Sequence, residues 1–328
     1  MGADTVRIEQ VARLDAAARA AATALVDEVR VAVGTRPVSD RMWLDLVHDG
    51  PTSAGAVLAR TDDGLIGVAL LARDGSDDWT VEVVTRPAEA DRTELVTALL
   101  QGARAHVARA GGGRLTWWVF DADDTSHELA ARIGLRADRD LYQMRVPLPL
   151  AAATDVSTRP FVPGRDEEAW LEVNNAAFAG HHEQSGWDLA TLELREREDW
   201  FDPDGFLLHE RDGRLAAFCW TKLHRDATPT MGEIYVIAVH PDFHGLGLGR
   251  ALTVAGLASI SARGVTTGML FVDAHNAPAV GLYRSLGFEV QRTDRAHVGA
   301  VAADRPDPSP DPPPDPSSDP SPDSREQP

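Results

Sequence analysis

The chain has 328 residues, 43% of them hydrophobic, which is enough for about two domains of roughly 150 residues, each with a buried core. Its formal charge of −19 argues against a polyanion such as nucleic acid as partner, and no apolar run approaches the ~18 residues of a membrane helix. The single cysteine, Cys219, excludes an internal disulfide framework, and the absence of a basic-then-apolar leader predicts a cytoplasmic protein. A monomer is the expected state.

Periodicity predicts a helix over 9–33, a second over 39–48, and strands near 54–60, 64–72 and 79–86. A helix at 91–110, a strand at 114–120, a short helix at 126–133 and a strand at 138–146 follow. Helices near 166–178 and 188–199 then precede strands near 205–210, 214–223 and 231–240. A helix at 247–263, a strand at 268–273, a helix at 276–286 and a strand at 288–298 close the ordered part. The second half thus repeats the order of the first, and short stretches align: "DDGLIGVALLAR" with "RDGRLAAFCWTK", and "WTVEVVTRP" with "GEIYVIAVHP". The Pro- and Ala-rich "VPLPLAAATDVSTRP" between them reads as a linker, giving domains over 1–150 and 151–303. Residues 304–328 hold ten of the 21 prolines and seven acids with no apolar side chain to bury, the composition of a disordered tail.

In "VIAVHPDFHGLGLGRAL", residues 236–252, an apolar strand runs into three alternate glycines and then a helix. Amides at a helix N-terminus make an anion site, and glycines let a phosphate approach the backbone. A Walker loop would end in Gly-Lys-Ser/Thr, which is missing; a dinucleotide site would read G-x-G-x-x-G within a βαβ unit, whereas here the spacing is G-x-G-x-G after an apparent meander. A plain strand-to-helix connection is the structural alternative.

The segment resembles the acyl-CoA turn of the Gcn5-related N-acetyltransferase family, Gln/Arg-x-x-Gly-x-Gly/Ala, with His244 at the first position followed by Gly245, Leu246, Gly247, Leu248, Gly249 and Arg250. "NAPAVGLYRSLGF" resembles that family's closing motif, with Asn276, Ala277, Pro278, Ala279, Val280 and Gly281 opening a helix that carries Tyr283. The resemblance implies two tandem α/β domains, each a mixed, mostly antiparallel sheet flanked by helices, and acetyl-CoA as co-substrate without a metal. It implies thioester contacts along Ile237, Ala238 and Val239, an oxyanion donor at the Val239 amide or its neighbour, and Tyr283 as the acid that protonates the departing thiolate. Amine acylation also needs a base. Glu233 starts the strand that ends at the glycine turn, and the resemblance implies that it is that base, although a solvated strand end is the plainer role.

Particular stretches, "VNNAAFAGHHEQSGW", "WFDPDGF", "FCWTKLH" and "GEIYVIAVHP", resemble a tandem member of the family that acetylates the cysteinyl amine of Cys-GlcN-Ins, a thiol-bearing sugar. Carried over by position, Asp40, Glu183, Lys222, Glu233 and Phe271 fall in its acceptor site, with Asp40 in place of a glutamate and Phe271 in place of a tyrosine. Carboxylates and a lysine suit hydroxyl groups, and Trp187 or Trp220 would offer an apolar face, with core packing the alternative. "HHE" at 181–183 lacks metal-ligand spacing. The first half has Trp79 and Ala130 where the second has Glu233 and Tyr283, and the acidic "RPAEADRTEL" in place of the turn, so a single CoA site in the second half is expected. The competing readings are an acetyltransferase for another amine or a protein N-terminus, and a noncatalytic CoA-binding sensor.

Overall fold

The computed structural model describes residues 5–48, 50, 53–75, 77–87, 92–179, 186–225, 227 and 229–304. The first half contains β1 (Arg7–Val11), α1 (Ala16–Val33), α2 (Asp40–His48), β2 (Ser53–Thr61), β3 (Gly64–Asp74), β4 (Asp78–Thr85), α3 (Arg92–Arg109), β5 (Gly113–Val119), α4 (Asp124–Arg132) and β6 (Arg136–Pro147). The second contains β7 (Arg159–Pro160), α5 (Glu167–Ala177), α6 (Leu189–Glu196), β8 (Phe206–Arg211), β9 (Arg214–His224), β10 (Met231–Val239), α7 (Leu248–Ala262), β11 (Thr267–Asp273), α8 (Ala277–Ser285) and β12 (Glu289–Val301).

One expected element is corrected. The helix expected from residue 9 begins only at Ala16, because Asp15 caps it by accepting from the Ala18 amide at 2.7 Å. Residues Arg7–Val11 instead pair antiparallel with β2 as a short edge strand. Four of its five residues are exposed, so it carries too little apolar alternation to be told from the helix beside it.

Helices flank a single 12-stranded sheet with the order β1-β2-β3-β4-β5-β12-β6-β11-β10-β9-β8-β7. Neighbours run antiparallel except at β4–β5 and β10–β11, so the sheet is mixed and mostly antiparallel. The final strands of the two halves are exchanged. β12 pairs with β5 of the first half and β6 pairs with β11 of the second, and the two lie side by side. Side-chain packing follows the exchange: Met144 and Val146 of β6 join the core beneath α7, while Val301 of β12 joins the core beneath α3. Trp187 and Trp220 lie in an aromatic core with Trp170, where Trp220 stacks on Phe206 at 4.3 Å. The tail from residue 305 lies outside the described residues, and no helix within them is long and apolar enough to cross a membrane.

The exchanged strand β12 carries an acid-sensitive group. His297 is fully buried, its ring 5.6 Å from Trp117 and 5.8 Å from His127, and neither nitrogen finds a partner among the described residues. Burial, reinforced by His127 and Arg295, lowers its pKa from the ordinary 6.5 to about 4. Protons therefore bind the unfolded chain more readily, and the stability present above pH ~6.5 is lost as pH falls toward ~4. The loss amounts to about 2 kcal/mol at pH ~5. His297→Leu should flatten this acid slope while leaving the neutral-pH Tm close to that of the parent; identical slopes in thermal melts between pH ~7.5 and ~5 would contradict the assignment.

Candidate active site

The site begins with a strand that runs past its partner. β10 pairs with β9 in a register that sets Glu233 opposite Lys222, and a bulge between Ile234 and Val236 inserts Tyr235. A bulge bends and twists its strand. On its other side β10 pairs in parallel with β11 only over Gly232–Ile234 with Gly268–Leu270, and continues to Val239 outside that register. Ile237, Ala238 and Val239 therefore present one backbone edge to a gap between the two strands.

The glycine turn lies at the end of this gap. Gly245 and Gly247 have φ of 78° and 73°, left-handed values that favour glycine, and a Cβ added at either would meet nothing within 4 Å. Gly247 is the N-cap of α7 and supplies no side-chain cap. The first helical bond runs from Ala251 N to Gly247 O at 3.1 Å, so the amides of Leu248, Gly249 and Arg250 precede the internal ladder. No Cβ fills the space at Gly249 either. Leu246 is exposed, whereas the His244 ring turns back, with Nε2 3.1 Å from the Val239 carbonyl oxygen. Arg250 donates to Ser285 Oγ at 2.8 Å, fastening the start of α7 to the end of α8.

Asn276 caps α8 by accepting from the Ala279 amide at 3.2 Å. Asn276, Ala277, Pro278 and Gly281 are exposed, Ala279 is half-buried, and Val280 and Tyr283 turn inward. Tyr283 packs beside Phe288 and shares a core with Cys219; burial pushes its phenol up to about 12, so it stays protonated at neutral pH.

The opposite face of β9 and β10 carries the charged groups. Lys222 Nζ lies 2.6 Å from Asp40 Oδ2, an ion pair joining β9 to the first turn of α2 in the other half. The same ammonium sits 4.5 Å from the Trp200 ring and 5.1 Å from that of Tyr235. Arg36 NH1 holds the second Asp40 oxygen at 3.2 Å and stacks over Trp43. Burial would raise the Asp40 carboxyl, but Lys222, with Arg195 and Arg36, holds it well below the usual carboxylate range. The start of α2 is itself pinned, because the Ser39 amide donates to the buried Glu82 carboxylate at 2.8 Å. Glu233, 6% exposed, places Oε2 2.6 Å from His224 Nε2. Phe271 lies half-buried on β11 beside Met231 and Met269, with the Arg292 guanidinium 5.8 Å above its ring.

The residues expected from sequence thus form two groups, the turn with its gap and the charged face, and Glu233 stands where they meet. Glu183, with His181 and His182, lies outside the described residues. Among the described residues no cluster of three or more His, Cys, Asp or Glu side chains is arranged to hold a metal. Sequence reading missed Arg36, Trp200, Tyr235 and His224. Of these His224 left a legible trace, since Lys222 and His224 are two apart on a strand and so share a face.

Comparison with known proteins agrees with this architecture. A profile of the acetyltransferase (GNAT) family matches residues 168–288. The chain is 41% identical over 302 residues to the mycothiol acetyltransferase of Stackebrandtia nassauensis, covering 88% of this chain and 97% of the relative. It is 42% identical over 292 residues to that of Thermobispora bispora, covering 87% and 96%. A tandem GNAT protein of the clavulanic acid biosynthesis pathway superposes with a TM-score of 0.65 at 15% identity, covering 92% of this chain and 100% of that one. A GCN5-related N-acetyltransferase from Sphaerobacter thermophilus gives 0.64 at 23%, covering 90% and 96%. These two likenesses concern the fold. The first two reach well beyond it, and on their extent and level of identity this chain belongs to the mycothiol acetyltransferase family, enzymes of the tandem GNAT fold.

Proposed function

We propose that the protein transfers the acetyl group of acetyl-CoA to the cysteinyl amine of Cys-GlcN-Ins, giving mycothiol, at one site in its second half. The observation that carries this reading is the gap between β10 and β11, which opens after Ile234, one residue beyond Glu233, and leads toward the start of α7, where no side chain caps the helix. The amides of Leu248, Gly249 and Arg250 receive the CoA pyrophosphate. Asn276 and the exposed start of α8 border the cofactor, whose thioester lies in the gap along Ile237–Val239.

Glu233 and Tyr283 lie against opposite faces of the β9–β10 sheet, and the gap is where both reach one carbonyl. The amine attacks the carbonyl carbon as Glu233 takes its proton, and the Val239 amide or its neighbour donates to the oxyanion. Collapse breaks the C–S bond, and the protonated Tyr283 delivers its proton to the CoA thiolate. Asp40, Lys222 and Phe271 line the acceptor side, where the ion pair between the halves offers directional partners for sugar hydroxyls. The first half then serves as a wall of the acceptor cleft. The lone buried thiol of Cys219 and the use of acetyl-CoA fit a reducing, cytoplasmic setting.

The test is acetyl transfer to Cys-GlcN-Ins beside a panel of aminoglycosides and peptide N-termini. The proposal expects kcat/KM for Cys-GlcN-Ins to exceed every other acceptor by roughly 10²-fold or more, the discrimination a hydrogen-bonding site supports. Preference for a different amine would reassign the substrate.

A further inference from the structure

From the geometry around the base we infer that His224 is a positioning residue for Glu233, setting which carboxylate oxygen meets the acceptor amine. The inference rests on Glu233 being the base, as proposed above.

The register makes the arrangement specific. Lys222 is the residue directly across from Glu233, and His224 is its diagonal neighbour on the same face of β9. Left to themselves, the ammonium and the carboxylate would pair. Asp40 prevents this by drawing Lys222 Nζ to 2.6 Å beneath Trp200 and Tyr235. An ammonium resting on Glu233 would occupy the carboxylate as an ion-pair partner. The imidazole fills that place instead, with Nε2 2.6 Å from Oε2, and among the described residues it is the side chain that hydrogen-bonds Glu233.

A carboxylate can only accept, so the shared proton belongs to His224 Nε2 and the ring donates. That nitrogen is consequently not free to deprotonate the amine, and His224 acts through Glu233. Oε2 is held and Oε1 is left to receive the proton. The His224 side chain is 25% exposed and that of Glu233 8%, so the ring reaches solvent more than the base it holds. Reactivity falls when a base is left to rotate, because only part of its conformations then point at the reacting proton.

The experiment compares His224→Ala, His224→Gln, Glu233→Gln and the Ala/Gln double variant, reading kcat, acceptor KM and acetyl-CoA affinity. His224→Ala should lower kcat by roughly 10–100-fold, less than loss of the base itself, with acceptor KM and acetyl-CoA Kd within about twofold of the parent. His224→Gln, whose carboxamide places a donor near the Nε2 position, should recover most of that loss. In the Glu233→Gln background, His224→Ala should add little, because a positioning residue has nothing left to position. Should the alanine chain fail to fold, His224→Phe supplies the ring volume without the donor.

The inference is overturned if His224→Ala turns over at the parental rate, if it changes KM and not kcat, or if its cost is undiminished when Glu233 is already glutamine. Those results differ from failure of the underlying reading. Near-normal turnover of Glu233→Gln would remove Glu233 as base, whereas a slow Glu233→Gln beside a normal His224→Ala removes only the role of His224.

Discussion

Glu233→Gln should lower kcat by roughly 10²–10⁴-fold, the usual contribution of a positioned base, while acetyl-CoA affinity stays at the parental value. Glutamine fills the same buried volume beside His224 and lacks basicity, so folding and cofactor binding are spared. The residual rate should climb with pH, as hydroxide and the free-amine fraction substitute for the missing carboxylate. Tyr283→Phe should cost less, because thiolate is a tolerable leaving group without an acid. Parental turnover in Glu233→Gln with a raised acceptor KM would make Glu233 a binding residue, and Glu183 would become the next candidate base.

Gly247→Asp should abolish measurable acetyl-CoA binding in a calorimetric titration that gives the parent a stoichiometry near one. A side chain at this position enters open space at the start of α7, where a carboxylate would occupy the pyrophosphate site and repel it. The substitution also forces a non-glycine residue to φ 73°, a backbone cost of about 1 kcal/mol that has nothing to do with charge. Gly247→Asn carries the same backbone cost without the charge and should retain weakened binding. Equal loss in both variants would assign the effect to backbone strain, and two equivalents bound to the parent would reveal a second site in the first half.

Most strands and helices were legible because their periodicities are strong, and the turn at 244–249 was legible because alternate glycines between an apolar strand and a helix leave the backbone open to a ligand. The exchange of β6 and β12 was not, since each strand's pattern specifies a buried face and not a neighbour. β1 was hidden by its exposed residues and the adjoining helix. In the site, Glu233 could be placed from its strand, but its partnership with His224 depends on the β9–β10 register. The contact of Lys222 with Asp40 spans 182 positions and two halves of the chain, and only the assembled sheet brings it about. Asp40 and Lys222 were each expected in the acceptor site. Their pairing, which leaves Glu233 to an imidazole, is a property of the fold.

Acetyl transfer to the amine of a thiol-bearing acceptor fixes where a transferred label must end up. In a single turnover with acetyl-labelled acetyl-CoA and Cys-GlcN-Ins, the label should appear in the acceptor as an amide that resists hydroxylamine, with the acceptor thiol still free to titrate. Label held in a hydroxylamine-labile thioester, or left on CoA while the acceptor stays unmodified, would contradict the account.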